Sequence, residues 1–139
     1  MSWDLQTKSR SQEERKRENQ LKERFGDEYK APYVAFYKAD DRCPRLKVLN
    51  ETKKGKETGF IMQYMHIDPI EFTDSSVITL NYKHEIITII GHHLSEIISG
   101  IEYENLTCIR VFNGDLYRNE LTENDAFVET ITRTQLKSK

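Results

Sequence analysis

Cysteine, proline, glycine and tryptophan are all scarce in this sequence of 139 residues. The two cysteines, Cys43 and Cys108, lie far apart, so they form neither a Cys-x-x-Cys redox motif nor a paired metal-ligand motif. Two cysteines are too few for a disulfide scaffold, and six glycines with three prolines exclude a collagen-like chain. A globular protein with reduced thiols is therefore the expected class.

Long apolar runs are missing as well. The longest predominantly apolar run, Ile86–Ile90, is far shorter than the roughly 20 residues that cross a bilayer. The first residues contain no apolar segment typical of a secretory signal. We therefore expect a cytoplasmic protein without a membrane partner.

The motifs that mark common active sites are also missing. The sequence has no phosphate-binding P-loop, no G-x-G-x-x-G and no G-x-S-x-G. His66 and Asp68 have the spacing of two ligands on one strand face, but Pro69 indicates that the strand ends there and no third ligand follows. The sequence therefore predicts no cofactor and no metal, and it favours a non-catalytic protein over an enzyme.

Charge is abundant but unevenly distributed. Charged residues make up 32% of the chain, and the net charge is −2. Residues 1–56 carry a net charge of +5, whereas residues 57–139 carry −7. This distribution predicts a basic arm attached to an acidic body. Such an arm can contact an anionic partner, or the acidic body of its own or a neighbouring subunit.

The N-terminal segment, residues 1–28, is predicted to form a charged helical arm. Residues 4–25 contain neither proline nor glycine and consist mostly of good helix formers. The apolar residues of this stretch are few, so the helix has no continuous apolar stripe. We expect the arm to be separable from a single domain formed by residues 29–139.

The rest of the chain is dominated by short segments that alternate apolar and polar residues, as strands do. Residues 45–66 are predicted to form a hairpin around a basic loop. Glu85–Ile90 is apolar on both faces and is predicted to be a central strand. The remaining predicted strands are Tyr33–Tyr37, Ile70–Phe72, Val77–Tyr82, Leu106–Phe112, Leu116–Arg118 and Ala126–Thr134.

One amphipathic helix is predicted from His93 to Tyr103. Its apolar face has the i, i+3, i+4, i+7 spacing, with Ile98 at the centre. Because strands outnumber helices and the links are short, we predict an α+β fold, in which a mainly antiparallel twisted sheet packs against this helix and a charged helix lies at the N-terminus. The predicted core consists of Ile78, Leu80, Ile87, Ile89, Leu94, Ile97, Ile98, Ile101, Ile109, Val111 and Phe127.

The most distinctive local motif is Gly91-His92-His93, at the predicted junction of a strand and a helix. Unpaired N–H groups and the helix dipole at such a junction can hold an anion, and two imidazoles beside them can bind phosphate or donate a proton. Consecutive residues point in different directions, so a purely structural role is the alternative. Gly91, His92 and His93 are therefore candidate anion-binding residues.

Two basic clusters are candidates for contact with nucleic acid or with a protein partner. Carboxylates interleave with the cations of the arm, which disfavours a phosphate backbone and suits a protein interface of mixed charge. The clusters are Arg15, Lys16 and Arg17 on the arm, and Lys53, Lys54 and Lys56 in the hairpin loop.

A leading function and an alternative remain open at this point, beside a third option, a small-molecule enzyme built on the corner Gly91–His93. The leading prediction is a small non-catalytic binding or assembly module that forms a homo-oligomer or binds a protein partner. The alternative is a nucleic-acid-binding or phosphate-ester-processing protein that uses the basic arm and the hairpin loop.

Overall fold

The computed structural model describes residues 30–53 and 55–136, together with Arg15, Lys16 and Asn19. The predicted helical arm therefore lies almost entirely outside the described residues. The elements in chain order are β1 (Ala31–Pro32), β2 (Phe36–Lys38), β3 (Arg45–Lys53), β4 (Lys56–Gln63), a 3-10 turn (Tyr64–His66), β5 (Ile67–Thr73), β6 (Val77–Tyr82), β7 (Glu85–His92), α1 (Ser95–Glu102), β8 (Leu106–Arg110), β9 (Tyr117–Arg118) and β10 (Phe127–Gln135).

Eight of the ten described strands form two four-stranded sheets rather than the one sheet that was predicted, and β1 and β9 form a separate parallel pair. The first sheet has the order β2-β8-β3-β4, in which β3 and β8 are parallel and the other neighbours are antiparallel. The second sheet has the order β10-β7-β6-β5 and is antiparallel throughout. The sequence prediction of a mainly antiparallel strand protein with the hairpin β3–β4 is confirmed. The chain passes from the second sheet back to the first through α1, which connects β7 to β8.

The core lies between the inner faces of the sheets and α1. Most of the predicted core residues are fully buried, but Ile98, Val111 and Phe127 are only partly buried and pack against its margin. The prediction that β7 is a central strand is confirmed, because it lies between β10 and β6. Its outer face is partly open, since Ile90 is 38% exposed. None of the described helical segments is long and apolar enough to cross a bilayer.

Two glycines allow the sheets to bend. The register of β10 shifts between Val128 and Thr130, opposite Gly91, and a Cβ on Gly91 would overlap the Phe127 carbonyl oxygen. The register of β3 shifts between Leu49 and Glu51 in the same way, and a Cβ on Gly59 would overlap the Val48 carbonyl oxygen. Such bulges bend a strand and increase its twist. At these two positions a side chain would displace the neighbouring strand.

Tyr33 joins the end of the first sheet to the second. Its hydroxyl donates to the Arg110 carbonyl at 2.9 Å and accepts a hydrogen bond from the Val128 N–H at 3.2 Å. The ring packs edge-on against Phe112 and Phe127. Burial raises the pKa of Tyr33 to about 12, so the phenol keeps its proton and acts as a fixed link.

Candidate functional site

The predicted anion site lies where β7 leads into α1. Gly91 is buried inside β7, and its N–H donates to the Ser76 carbonyl at 3.0 Å. His92 ends the strand, and His93 follows with a left-handed backbone, at a φ of 55°. Both imidazoles are exposed, and the ring of His92 stacks on Phe127 with the centroids 6.3 Å apart. The structure therefore brings both histidines to one corner of the molecule.

The two histidines line a groove of about 300 Å³ beside the loop that precedes β10. Glu123 and Asp125 line the same groove. Hydrogen bonds from the Thr122 backbone N–H and from the Thr122 hydroxyl, at 2.8 and 3.0 Å, lower the pKa of Asp125 and keep it ionised. These carboxylates weigh against an anionic ligand, and the anion-binding role of the motif stays a prediction. Among the described residues, no cluster of three or more His, Cys, Asp or Glu side chains could hold a metal ion.

The basic cluster of the arm is described only in part. Arg15 and Lys16 are helical and exposed, whereas Arg17 lies outside the described residues, so the charged helix stays a prediction. The two described side chains are therefore accessible to a partner.

The basic cluster of the hairpin loop lies at the tip of β3 and β4. Lys53 and Lys56 pair across the turn, and Gly55 between them adopts a φ of 77°. The Nζ of Lys53 lies 3.4 Å from a carboxylate oxygen of Glu51, and both side chains are exposed. Lys54 lies outside the described residues. The tip thus combines two described lysines with a carboxylate that partly balances their charge.

A further surface, which no sequence motif singled out, is the outer face of the first sheet. Leu46, Met62 and Ile109 point into the core, so the residues that alternate with them point outward. Tyr37 and Ile61 are 46% and 58% exposed on this face. One row of paired residues crosses all four strands on this face, and we call it the outer row: Tyr37, Cys108, Lys47 and Ile61.

Arg110 lies beside the outer row and is held between aromatic rings. Its guanidinium is 5.6 Å from the ring centroid of Tyr37 and 5.1 Å from that of Tyr117, both within cation–π range. Its Nε lies 3.1 Å from Oε2 of Glu57 without an aligned hydrogen bond, while the Tyr117 hydroxyl donates to Oε1 at 2.6 Å. Burial favours a lower pKa for Arg110, but Tyr117, Tyr37 and Glu57 outweigh it and raise the pKa. The guanidinium is therefore a permanent charge at this face.

Both cysteines have environments that suppress reactivity. Burial raises the pKa of the Cys108 thiol and also that of the Cys43 thiol, which donates to the Glu104 and Leu106 carbonyls at 3.4 Å. A thiol with a raised pKa is protonated near neutral pH and is a poor nucleophile. Cys108 therefore adds no reactive group to the outer row. The other three residues of the row offer stacking on Tyr37, apolar contact with Ile61 and the positive charge of Lys47.

Comparison of the chain with protein-family models, with curated proteins and with solved structures finds no match.

Proposed function

We propose that this protein is a non-catalytic assembly module that pairs with a second copy of itself along the outer edge of β10. The observation that supports the proposal is the position of β10 at the margin of its sheet. Within the described part of the chain, its ladder is formed with β7, while near its start the Val128 carbonyl accepts a hydrogen bond from the Phe112 N–H at 2.9 Å. A strand edge with backbone groups directed outward is a template for another strand.

The direction of the backbone groups of β10 follows from one hydrogen bond at its end. The N–H of Leu136 points toward β7, where it donates to the His84 carbonyl at 2.7 Å. This direction alternates from residue to residue in an antiparallel ladder. The residues whose N–H and C=O groups point away from β7 are therefore Ile131, Arg133 and Gln135.

The opposite edge of the second sheet is less suited to pairing. β5 contains Pro69, which has no N–H, and its register shifts between Ile67 and Ile70. Both features blunt an edge strand. The register shift of β10 lies near its start, between Val128 and Thr130, so its second half is regular. β10 also contains neither proline nor lysine, two residues that commonly protect an edge, and its charged residues are Glu129 and Arg133.

The sequence of β10 is complementary to itself. In an antiparallel pair with its two-fold axis at Thr132, Thr130 of one copy lies opposite Thr134 of the other, and Thr132 lies opposite its own counterpart. On the other face, Ile131 lies opposite the aliphatic stem of Arg133. Threonine pairs and apolar pairs across strands each contribute about 0.2–1 kcal/mol. This match supports a second copy of the chain as the partner.

Thr132→Lys is expected to convert the dimer into a monomer. The substitution places two lysines opposite each other at the two-fold axis, where like charges destabilise the pair. Size-exclusion chromatography with light scattering measures the mass, which should be twice the chain mass for the wild type and once for the variant.

Thr79→Lys is the matched control for this experiment. Thr79 lies in the same cross-strand row as Thr132 and Thr88, but on the inner strand β6. The Thr79→Lys variant adds the same charge to the same sheet without altering the edge strand, so the dimer should persist. A monomeric wild type, or equal dissociation by both lysine variants, would contradict the proposal.

The basic arm is proposed to strengthen the same dimer by contacting the acidic body of the second copy. Reversal of charge at Arg15, Lys16 and Arg17 should then raise the dissociation constant, most strongly at low salt because exposed charges are screened by ions. The same reversal in the hairpin loop should leave the mass unchanged. Analytical ultracentrifugation of both variants tests this, and a stronger effect of the loop variant would exclude the arm.

A further inference from the structure

The outer row lies in a region of positive charge. Lys47 belongs to the row, and Arg45 precedes it by two positions on β3, where both side chains are exposed. On the adjacent strand β8, the guanidinium of Arg110 is paired with the carboxylate of Glu57 at 3.1 Å, so these two charges balance each other. The Glu57 carboxylate also accepts a hydrogen bond from the Tyr117 hydroxyl. The face therefore presents cations beside an exposed aromatic ring.

We propose that this face binds single-stranded nucleic acid. The exposed ring of Tyr37 stacks on an unpaired base, while Lys47 and Arg45 bind the backbone phosphates. The guanidinium of Arg110, which is paired with Glu57, packs 5.6 Å from the centroid of the Tyr37 ring and supports the ring from within the sheet face. Sheet faces that combine aromatic rings with cations bind unpaired bases in this manner. A duplex is a poorer ligand, because its bases stack on each other and leave none for Tyr37.

The size of the outer row sets the size of the site. Neighbouring strands are about 4.8 Å apart, so the row spans about 14 Å from Tyr37 to Ile61. A four-stranded sheet face of this kind accommodates two or three bases. One base stacks on Tyr37, a second contacts Ile61, and Lys47 between them meets the connecting phosphate. Stacking and phosphate contacts tolerate any base, so we expect little sequence preference.

This binding face is separate from the proposed assembly edge. The outer row belongs to the first sheet, whereas β10 belongs to the second. Thr132→Lys should therefore leave the affinity for a short oligonucleotide within about twofold of the wild type. Failure of either proposal would leave the other standing.

The charge contribution is tested by Lys47→Glu in a fluorescence anisotropy titration with a labelled oligothymidylate of about ten nucleotides. We expect the affinity to fall about tenfold or more at low salt. The slope of log K against log salt should become less steep by at least about 0.7, which is the value for one phosphate contact on a single strand. Lys83→Glu is the control, because Lys83 is exposed on the β6–β7 turn of the second sheet. No binding by the wild type, or equal weakening by both variants, would overturn the proposal.

Stacking is tested at Tyr37 with two variants. Tyr37→Ala removes the ring and should weaken binding about tenfold or more, whereas Tyr37→Phe keeps the ring and should stay within about twofold. The comparison matters because the Tyr37 hydroxyl also lies 3.4 Å from Nη1 of Arg110. Equal loss with both variants would assign the effect to this hydroxyl and contradict stacking. Equal affinity for a duplex of the same length would contradict it as well.

Discussion

Ile97→Asp is expected to remove a large part of the stability of the folded protein. Ile97 lies on α1 and is fully buried in the common core. The substitution loses a buried aliphatic side chain, which costs about 2–5 kcal/mol on truncation, and also buries a carboxyl group in an apolar site. We expect a combined loss of about 4 kcal/mol or more, from a total of about 5–15 kcal/mol typical of a domain. Urea unfolding followed by circular dichroism measures it.

The pH dependence of this variant separates the effect of charge from that of lost packing. Burial raises the pKa of the introduced carboxyl above its ordinary value of about 3.9. The folded state then holds a proton that the unfolded state releases, so stability falls as the pH rises above about 4. Ile97→Asn should also lower the stability, but without this dependence on pH. Glu102→Asp, at an exposed position of the same helix, should change the free energy of unfolding by less than about 0.5 kcal/mol. Unchanged stability of Ile97→Asp would contradict the burial of this helix face.

The helix itself was predictable, but the centre of its buried face was not. Apolar spacing identified the segment and predicted the burial of Leu94, Ile97 and Ile101, which the structure confirms. It also placed Ile98 at the centre, whereas Ile98 is only partly buried. Helical spacing identifies the apolar face of the helix, but which residues of that face become buried depends on where the two sheets lie. That arrangement is set by contacts between distant segments.

Most strand positions were predictable from alternation, because strands such as β3 and β6 bury alternate residues. The predicted strand Tyr33–Tyr37 is an exception, since β2 covers only Phe36–Lys38. Strand order was not predictable, because pairing such as that of β3 with β8 joins segments far apart in the chain. The outer row depends on this order. Alternation within β8 predicts that Arg110 points outward, because its neighbour Ile109 is buried. Only the order of the strands in the sheet brings Tyr37, Lys47 and Ile61 to the same face.

Gly91→Ala is expected to destabilise the protein by about 2–4 kcal/mol, within the range of overpacked and strained sites. The added Cβ would overlap the Phe127 carbonyl oxygen where β10 bulges against β7. The opposing group is backbone, so no side-chain rotation relieves the overlap and β10 must move. β10 supplies Val128 and Ile131 to the core and also forms the proposed assembly edge. The variant should therefore lose both stability and dimer affinity.

Gly114→Ala is the matched control for this glycine. The nearest atom to a Cβ there belongs to the Phe112 ring at 3.8 Å, an ordinary van der Waals contact, so stability should change by less than about 0.5 kcal/mol. Urea midpoints compared at equal slopes give the difference in stability, since an unchanged slope indicates the same surface exposed on unfolding. Equal stability of Gly91→Ala and wild type would mean that β10 tolerates displacement from β7. In that case the bulge could not hold the edge in the fixed register that self-pairing at Thr132 requires.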